Sequence, residues 1–247
     1  MYSPHLEVQG QAIWTLSNIA GDCDDYREHI LRLGGFGQIV EVASHHLDKV
    51  SIVINAVWCL TNLCRCQRDK VFMFECVQPH LSFLQSMLVY KNMEVIANAC
   101  WAFSFLTSTP PEQKKIVLQY INPKDFMRYI LCEDSAIRCP AIRVAGNFVS
   151  GDKEDTQLML DGGLVQVLNS VLSFPLKDEM KREILWIISN VAAGTSKQIR
   201  ILIHEGLMKE IVKKYLAPTE ADIVQTEALW VVVNAINGGL LEHVCFG

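Results

Sequence analysis

An all-α repeat array is the fold class the sequence predicts, and three observations carry it. Five tryptophans stand at 14, 58, 101, 186 and 230, spaced by 44, 43, 85 and 44 residues, and Arg143 divides the long gap into 42 and 43. Each of the six positions sits in a similar string: AIWTLSNIAGD at 12–22, AVWCLTNLCR at 56–65, ACWAFSFLTS at 99–108, AIRVAGNFVSGD at 141–152, ILWIISNVAAG at 184–194 and ALWVVVNAINGG at 228–239. No run of strand length alternates between apolar and polar residues, so the array has no sheet to build on.

Between these strings the chain reads as two shorter helices. A segment at 156–160 stops at Asp161-Gly162-Gly163, and 164–172 then follows a 3.6-residue apolar pattern up to Pro175. The same order recurs at 26–33, Gly34-Gly35 and 36–43, and again at 198–204, Gly206 and 207–215. Periods of about 40–47 residues belong to HEAT and armadillo repeats. Three helices per unit, the first short, favour armadillo, a right-handed superhelical solenoid with about 43 residues per repeat. One array over 1–247 is expected: a partial repeat at 1–22, full repeats at about 23–65, 66–108, 109–151, 152–194 and 195–238, and the start of another at 239–247. Glycines 21, 151, 194 and 238 fall just past the third helices, where left-handed caps are expected.

Composition excludes several function classes. Half of the 247 residues are hydrophobic and 20% are charged, enough apolar material for a core. The longest apolar runs, around 184–188 and 228–233, fall well short of the ~20 residues that span a bilayer, so no membrane role is expected. The first residues, Met-Tyr-Ser-Pro-His, lack a secretory pattern, so the nine cysteines are expected as thiols in a reducing compartment. A net charge of −5 and a pI near 5.8 have the wrong sign for a nucleic-acid binder. Cys64-x-Cys66 lacks a second pair and no spacing matches a metal site. His45-His46 reads as a solvated loop, and Asp161-Gly162-Gly163 as a helix corner without the phosphate-loop pattern. No nucleophile elbow appears, so neither catalysis nor a cofactor is expected.

The third helix carries the functional signal. At about 100° per residue, Ala12, Leu16 and Ile19 form a core stripe, while Asn18 falls about 40° from Trp14 on the opposite face. Trp58 with Asn62, Trp186 with Asn190 and Trp230 with Asn234 repeat this pair. A single tryptophan on an apolar helix reads as core, but a buried row of unpaired amides would cost about 1–3 kcal/mol each. Helices stack roughly 8–10 Å apart and an extended peptide advances about 3.3 Å per residue, so about three ligand residues fit each step. Amides would pair with the ligand backbone, and indole walls would attract Lys or Arg by cation–π contact. Three residues before the tryptophan, Glu183 and Glu227 lie on the same face, and Asp22 ends the first such helix.

At these residues the sequence resembles importin-α, the armadillo adaptor of nuclear import. The likeness covers nearly the whole chain and includes, in order, the repeat where an aromatic replaces Asn (Phe105) and the one where Arg143 replaces Trp. The resemblance implies a concave groove that binds Lys/Arg-rich nuclear localisation signals at two sites, and residence in cytoplasm and nucleus. The major-type set falls on Trp14, Asn18, Asp22, Asn55, Trp58, Asn62, Arg65 and Trp101, with Asp22 matching the carboxylate that receives the key lysine. The minor-type set falls on Arg143, Asn147, Val149, Thr156, Glu183, Trp186, Asn190, Glu227, Trp230 and Asn234.

Departures from the family are specific. Phe105 lacks the usual Tyr hydroxyl, Asn98 replaces a common acid, and Lys153 stands where Asp is frequent. The chain starts at what resembles the third helix of the family's second repeat, and the Arg/Lys-rich segment through which the family binds importin-β does not occur in it. A fragment or short form is therefore expected, with self-association through uncapped ends. The rival reading is a catenin-like armadillo scaffold for adhesion or signalling partners, whose groove would take acidic ligands.

Overall fold

The computed structural model describes residues 3–238, and within them every regular element is helical. The further repeat expected over 239–247 lies outside the described residues. The chain divides into two compact units, the first ending at Ile121 and the second starting at Asn122. That division falls inside the 109–151 span expected as one repeat.

The first unit contains α1 (Leu6–Asp22), α2 (Asp24–Arg32), α3 (Gly35–His45), α4 (Val50–Cys64), α5 (Lys70–Val77), a 3-10 turn (Gln78–His80), α6 (Leu81–Met87), α7 (Met93–Leu106) and α8 (Pro111–Val117). Helix α4 packs between α1 and α7, with α3 against it. The second unit contains α9 (Pro123–Ile130), α10 (Ser135–Val149), α11 (Lys153–Asp161), α12 (Leu164–Leu172), α13 (Asp178–Ala192), α14 (Ser196–His204), α15 (Leu207–Glu210), a π turn (Ile211–Tyr215) and α16 (Asp222–Asn237). There α13 packs between α10 and α16. In each unit the tryptophan helices form one stack.

Local chemistry starts these helices where the sequence places polar residues. The side chains of Asp69, Asn92, Asn122 and Asp134 each accept a backbone N–H in the first turn that follows. Thr195 and Gln198 form a reciprocal capping box at the start of α14. The stack is enclosed most fully at α4, where Ile52, Val53, Ala56, Val57, Leu60 and Leu63 are sealed. Each such aliphatic side chain contributes about 1.5–3 kcal/mol on burial. In α1 the buried stripe is Gly10, Ile13, Ser17 and Ala20, and Ile19, assigned to the core by the wheel, is 40% exposed. Its α4 counterpart Leu63 is sealed, on a helix that also has α3 and α7 against it.

The left-handed glycines stand elsewhere than expected. Positive φ occurs at Gly34, Gly163 and Gly206, each between a first and a second helix. There the chain reverses within two residues, and a Cβ in the left-handed region costs roughly 1–2 kcal/mol. Gly21 lies inside α1 and Gly238 has φ of −73°. The third helices close with ordinary turns instead: the N–H groups of Ser150, Ala193 and Gly238 donate to the carbonyls of Gly146, Ser189 and Asn234. Gly194 and Gly238 are small for another reason, since a Cβ would run into Gln198 and Ile199.

Candidate peptide-binding face

In the first unit, α1, α4 and α7 bring Trp14, Trp58 and Trp101 onto one stack. Trp14 is 49% exposed, whereas Trp58 and Trp101 are half-buried. Trp101 stacks on Phe105, ring centroids 5.9 Å apart and planes 25° apart. The Phe105 ring thus extends the indole wall. Asn18 is exposed, and its Nδ2 donates to the Trp14 carbonyl at 2.9 Å within its own helix. Asp22 and Arg65 are exposed at the ends of α1 and α4. Asn55 is half-buried, and its backbone carbonyl accepts the Ser17 hydroxyl at 3.3 Å.

Asn62 departs from the wheel. It is only 5% exposed, and its Nδ2 donates to the Ser17 carbonyl of the preceding third helix at 3.1 Å. A carbonyl can only accept, so the contact fixes the amide orientation. In the second unit Asn234 Nδ2 donates to the Ser189 carbonyl at 3.0 Å, over the same separation of 45 residues. These asparagines therefore tie one third helix to the next. The expectation that each amide is fully available to a ligand is corrected: one hydrogen is spent inside the stack, leaving Oδ1 and the second hydrogen. Asn190 differs, because its Nδ2 is shielded and has no hydrogen-bond partner.

The second unit places Trp186 and Trp230 on α13 and α16. Trp230 is 53% exposed and Trp186 half-buried. The Trp186 ring packs against α10 at Gly146, which stands at the position of Ser17, Thr61 and Ser189 in other repeats. A Cβ on Gly146 would come within 2.5 Å of Trp186 Cζ3. Asn147 is half-buried. Val149 and Thr156, placed in the minor-type set, are buried at 3% and 4% exposure. The Thr156 hydroxyl donates to the carbonyls of Val149 and Asp152, so it joins α10 to α11 rather than presenting a free group.

The two carboxylates expected to select charge in the second unit are occupied by the chain's own arginines. Arg143 Nη2 lies 3.0 Å from Glu183 Oε2, and Arg182 Nη1 lies 3.8 Å from Glu227 Oε1. Neither partner was legible in the sequence, because the first pair spans 40 residues. A second pair of acids, Asp178 and Glu220, holds Lys181, whose ammonium is raised above its ordinary pKa chiefly by the Glu220 hydrogen bond.

Other chemistry is structural. Burial raises the Cys59 thiol to about 11 and pushes Cys64 up as well, keeping both protonated. Among the described residues no group of three His, Cys, Asp or Glu side chains is placed to hold a metal ion, and no helix is long and apolar enough to cross a membrane.

No family model matches the chain. Among curated proteins it is 33% identical over 206 residues to importin subunit alpha-1a of Oryza sativa subsp. japonica, covering 83% of this chain and 39% of that one. It is 29% identical over 237 residues to importin subunit alpha-8 of Arabidopsis thaliana, covering 96% and 52%. The chain thus spans roughly a third to a half of these relatives. Among solved structures, a designed armadillo repeat protein matches with a TM-score of 0.83 at 22% identity over 95% of this chain and 96% of that one. Another, in complex with the peptide (KR)4, matches with a TM-score of 0.83 at 22% identity, covering 95% of each. These likenesses establish the armadillo fold.

Proposed function

From its membership of the importin-α armadillo family, we propose that this chain is a peptide-binding part of a nuclear import adaptor, taking extended Lys/Arg-rich signals rather than catalysing a reaction. The observation that carries the proposal is the register of indole and carboxamide on successive third helices, with Trp14 and Trp230 open to solvent at 49% and 53%. Indole faces beside an aliphatic stem and its cation contribute about 0.5–2 kcal/mol per contact. The unspent amide atoms hold the ligand backbone without reading its sequence. The complex of a structurally similar designed protein with (KR)4 supports the same ligand chemistry.

Trp14, Asn18, Asp22, Asn55, Trp58, Asn62, Arg65 and Trp101 form the first proposed set. Arg143, Asn147, Glu183, Trp186, Asn190, Glu227, Trp230 and Asn234 form the second, with Val149 and Thr156 supporting it from beneath. Residence in cytoplasm and nucleus and cargo bearing basic signals belong to the same proposal. Fluorescence anisotropy with a Lys-Lys-Lys-Arg-Lys peptide and a poly-Glu peptide at two salt concentrations tests it. The basic peptide is expected to bind more tightly and to weaken with salt; preference for the acidic one overturns the reading in favour of a catenin-like scaffold.

A further inference from the structure

This inference rests on the groove reading and concerns what holds the single carboxylate of the first proposed set in place. Asp22 is exposed at the last position of α1, eight residues after Trp14. That is the unfavourable end of a helix for its charge, because the unpaired carbonyls there form the negative pole of the helix dipole. The last turn of α1 has no basic residue, and Cys23, which follows, is extended (φ −139°, ψ 166°) rather than left-handed. Left to itself this turn would fray, and Asp22 with it.

Arg27, buried on α2 at 6% exposure, supplies what the turn lacks. Its Nε donates to the Ala20 carbonyl at 2.7 Å and its Nη2 to the Gly21 carbonyl at 3.1 Å. Its Nη1 donates to Asp24 Oδ1 at 2.5 Å. Asp24 Oδ2 in turn accepts the backbone N–H groups of Gln67 and Arg68, each at 3.2 Å, just past the end of α4. One guanidinium thus joins the end of α1, the start of α2 and the corner that follows Arg65. Its planar fork suits three acceptors in fixed directions better than the single ammonium of a lysine. In the second unit the Thr156 hydroxyl reaches back seven residues to the Val149 carbonyl, as Arg27 does to Ala20. The contact therefore recurs, and at α2 it carries a charge.

We propose that Arg27 is a positioning residue for basic ligands: by capping α1 and tying it to the corner after α4, it holds the Asp22 carboxylate where a ligand lysine or arginine meets it. The sign of its effect separates this role from simple charge. A cation near a site for cations repels them, so on Coulombic grounds alone its removal leaves basic-peptide binding unchanged or tighter. Positioning demands the reverse.

The full chain carrying Trp186→Ala with Trp230→Ala isolates the first unit's site, and Asp22→Lys, which places a like charge there, isolates the second unit's. In the first background Arg27→Met keeps an apolar stem and removes the charge. It is expected to weaken binding of the Lys-Lys-Lys-Arg-Lys peptide by about 1.5- to 5-fold, all that an exposed Asp22 ion pair commands. Arg27→Lys should lose less. Asp22→Asn should weaken binding by a similar factor, and adding Arg27→Met to it should cost no more, a non-additivity that general loosening of the fold does not produce. In the Asp22→Lys background Arg27→Met is expected to leave binding unchanged. Unchanged or tighter binding by Arg27→Met in the first background with helicity retained by circular dichroism, losses that add to those of Asp22→Asn, or a loss in the Asp22→Lys background overturns the inference and leaves the groove reading standing. If Arg27→Met loses its helicity, Arg27→Lys decides, and unchanged binding by it overturns the inference. A protein with Arg27 and Asp22 intact that binds no basic peptide in the first background overturns the groove reading of the first unit, and the inference with it.

Discussion

Asn62→Ala separates the two tasks assigned to the asparagine row. The side chain is 5% exposed and its Nδ2 donates to the Ser17 carbonyl of α1 at 3.1 Å. Truncation removes that bond and leaves a buried acceptor with only its helical partner, at a cost of about 1–3 kcal/mol. At about 2–4 °C per kcal/mol for a chain of this size, Tm should fall by roughly 2–12 °C. Asn18→Ala is the control. Its amide is exposed and bonds only within its own helix, so stability should stay within about 0.5 kcal/mol while peptide binding drops. Asn62→Asp sharpens the test, because it keeps the shape but turns the donor into an acceptor facing a carbonyl, and should melt below Asn62→Ala. Circular dichroism melts and peptide anisotropy on the same samples provide both readouts. An Asn62→Ala protein that melts with its parent, or an Asp variant more stable than the Ala one, would refute the tie between α1 and α4.

Four further outcomes follow from the geometry. Gly146→Ala puts a methyl 2.5 Å from Trp186 Cζ3 and should destabilise by about 1–3 kcal/mol, with a shift in tryptophan emission; an unchanged spectrum and melt would contradict the close packing. Tyr215→Phe removes a buried hydroxyl that donates to the Leu172 carbonyl at 3.2 Å and should cost more in thermal melts than Tyr90→Phe, whose hydroxyl donates to Leu47 at an exposed site. Partial burial pushes the Asp24 carboxyl up, but hydrogen bonds from Arg27 and from the Gln67 and Arg68 backbone outweigh it and hold the carboxyl below its ordinary value. Its contribution is therefore present above the unfolded pKa near ~3.9 and lost as pH falls through the folded one; Asp24→Asn should be less stable at neutral pH and lose less on acidification, as read by urea melts at several pH values. Trp186→Ala with Trp230→Ala should abolish basic-peptide binding in the Asp22→Lys background, and retained binding would place the ligand elsewhere.

The period of the tryptophans was enough to find the helices, because each repeat must bury the same stripe against the same neighbours. The residues that face outward obey no such requirement, and there the sequence misled. The wheel put Asn62 opposite the core, yet its amide reaches back to the third helix before it, as that of Asn234 does, whereas the Asn18 amide bonds within its own helix. Arg143 was visible as an exception in the tryptophan series, but its partner lies 40 residues away, a separation fixed only once α10 and α13 pack. The sequence pattern predicts left-handed glycines where third helices end, whereas the backbone needs them where two helices meet at a two-residue corner. The π turn at Ile211–Tyr215, which carries Tyr215 to Leu172, leaves no signature in an apolar pattern read at 3.6 residues per turn.

The missing side chain at position 146 acts as a shim removed from beneath the next indole. The Trp186 ring takes space that a Cβ at 146 would need, since one there would come within 2.5 Å of Cζ3. The depth of that slot is thus set by α10, a helix apart from the ring that lines it. Serial replacement of residue 146 by Ala, Ser and Thr offers a graded way to raise the ring and retune which ligand stems fit, without altering any atom that a peptide touches.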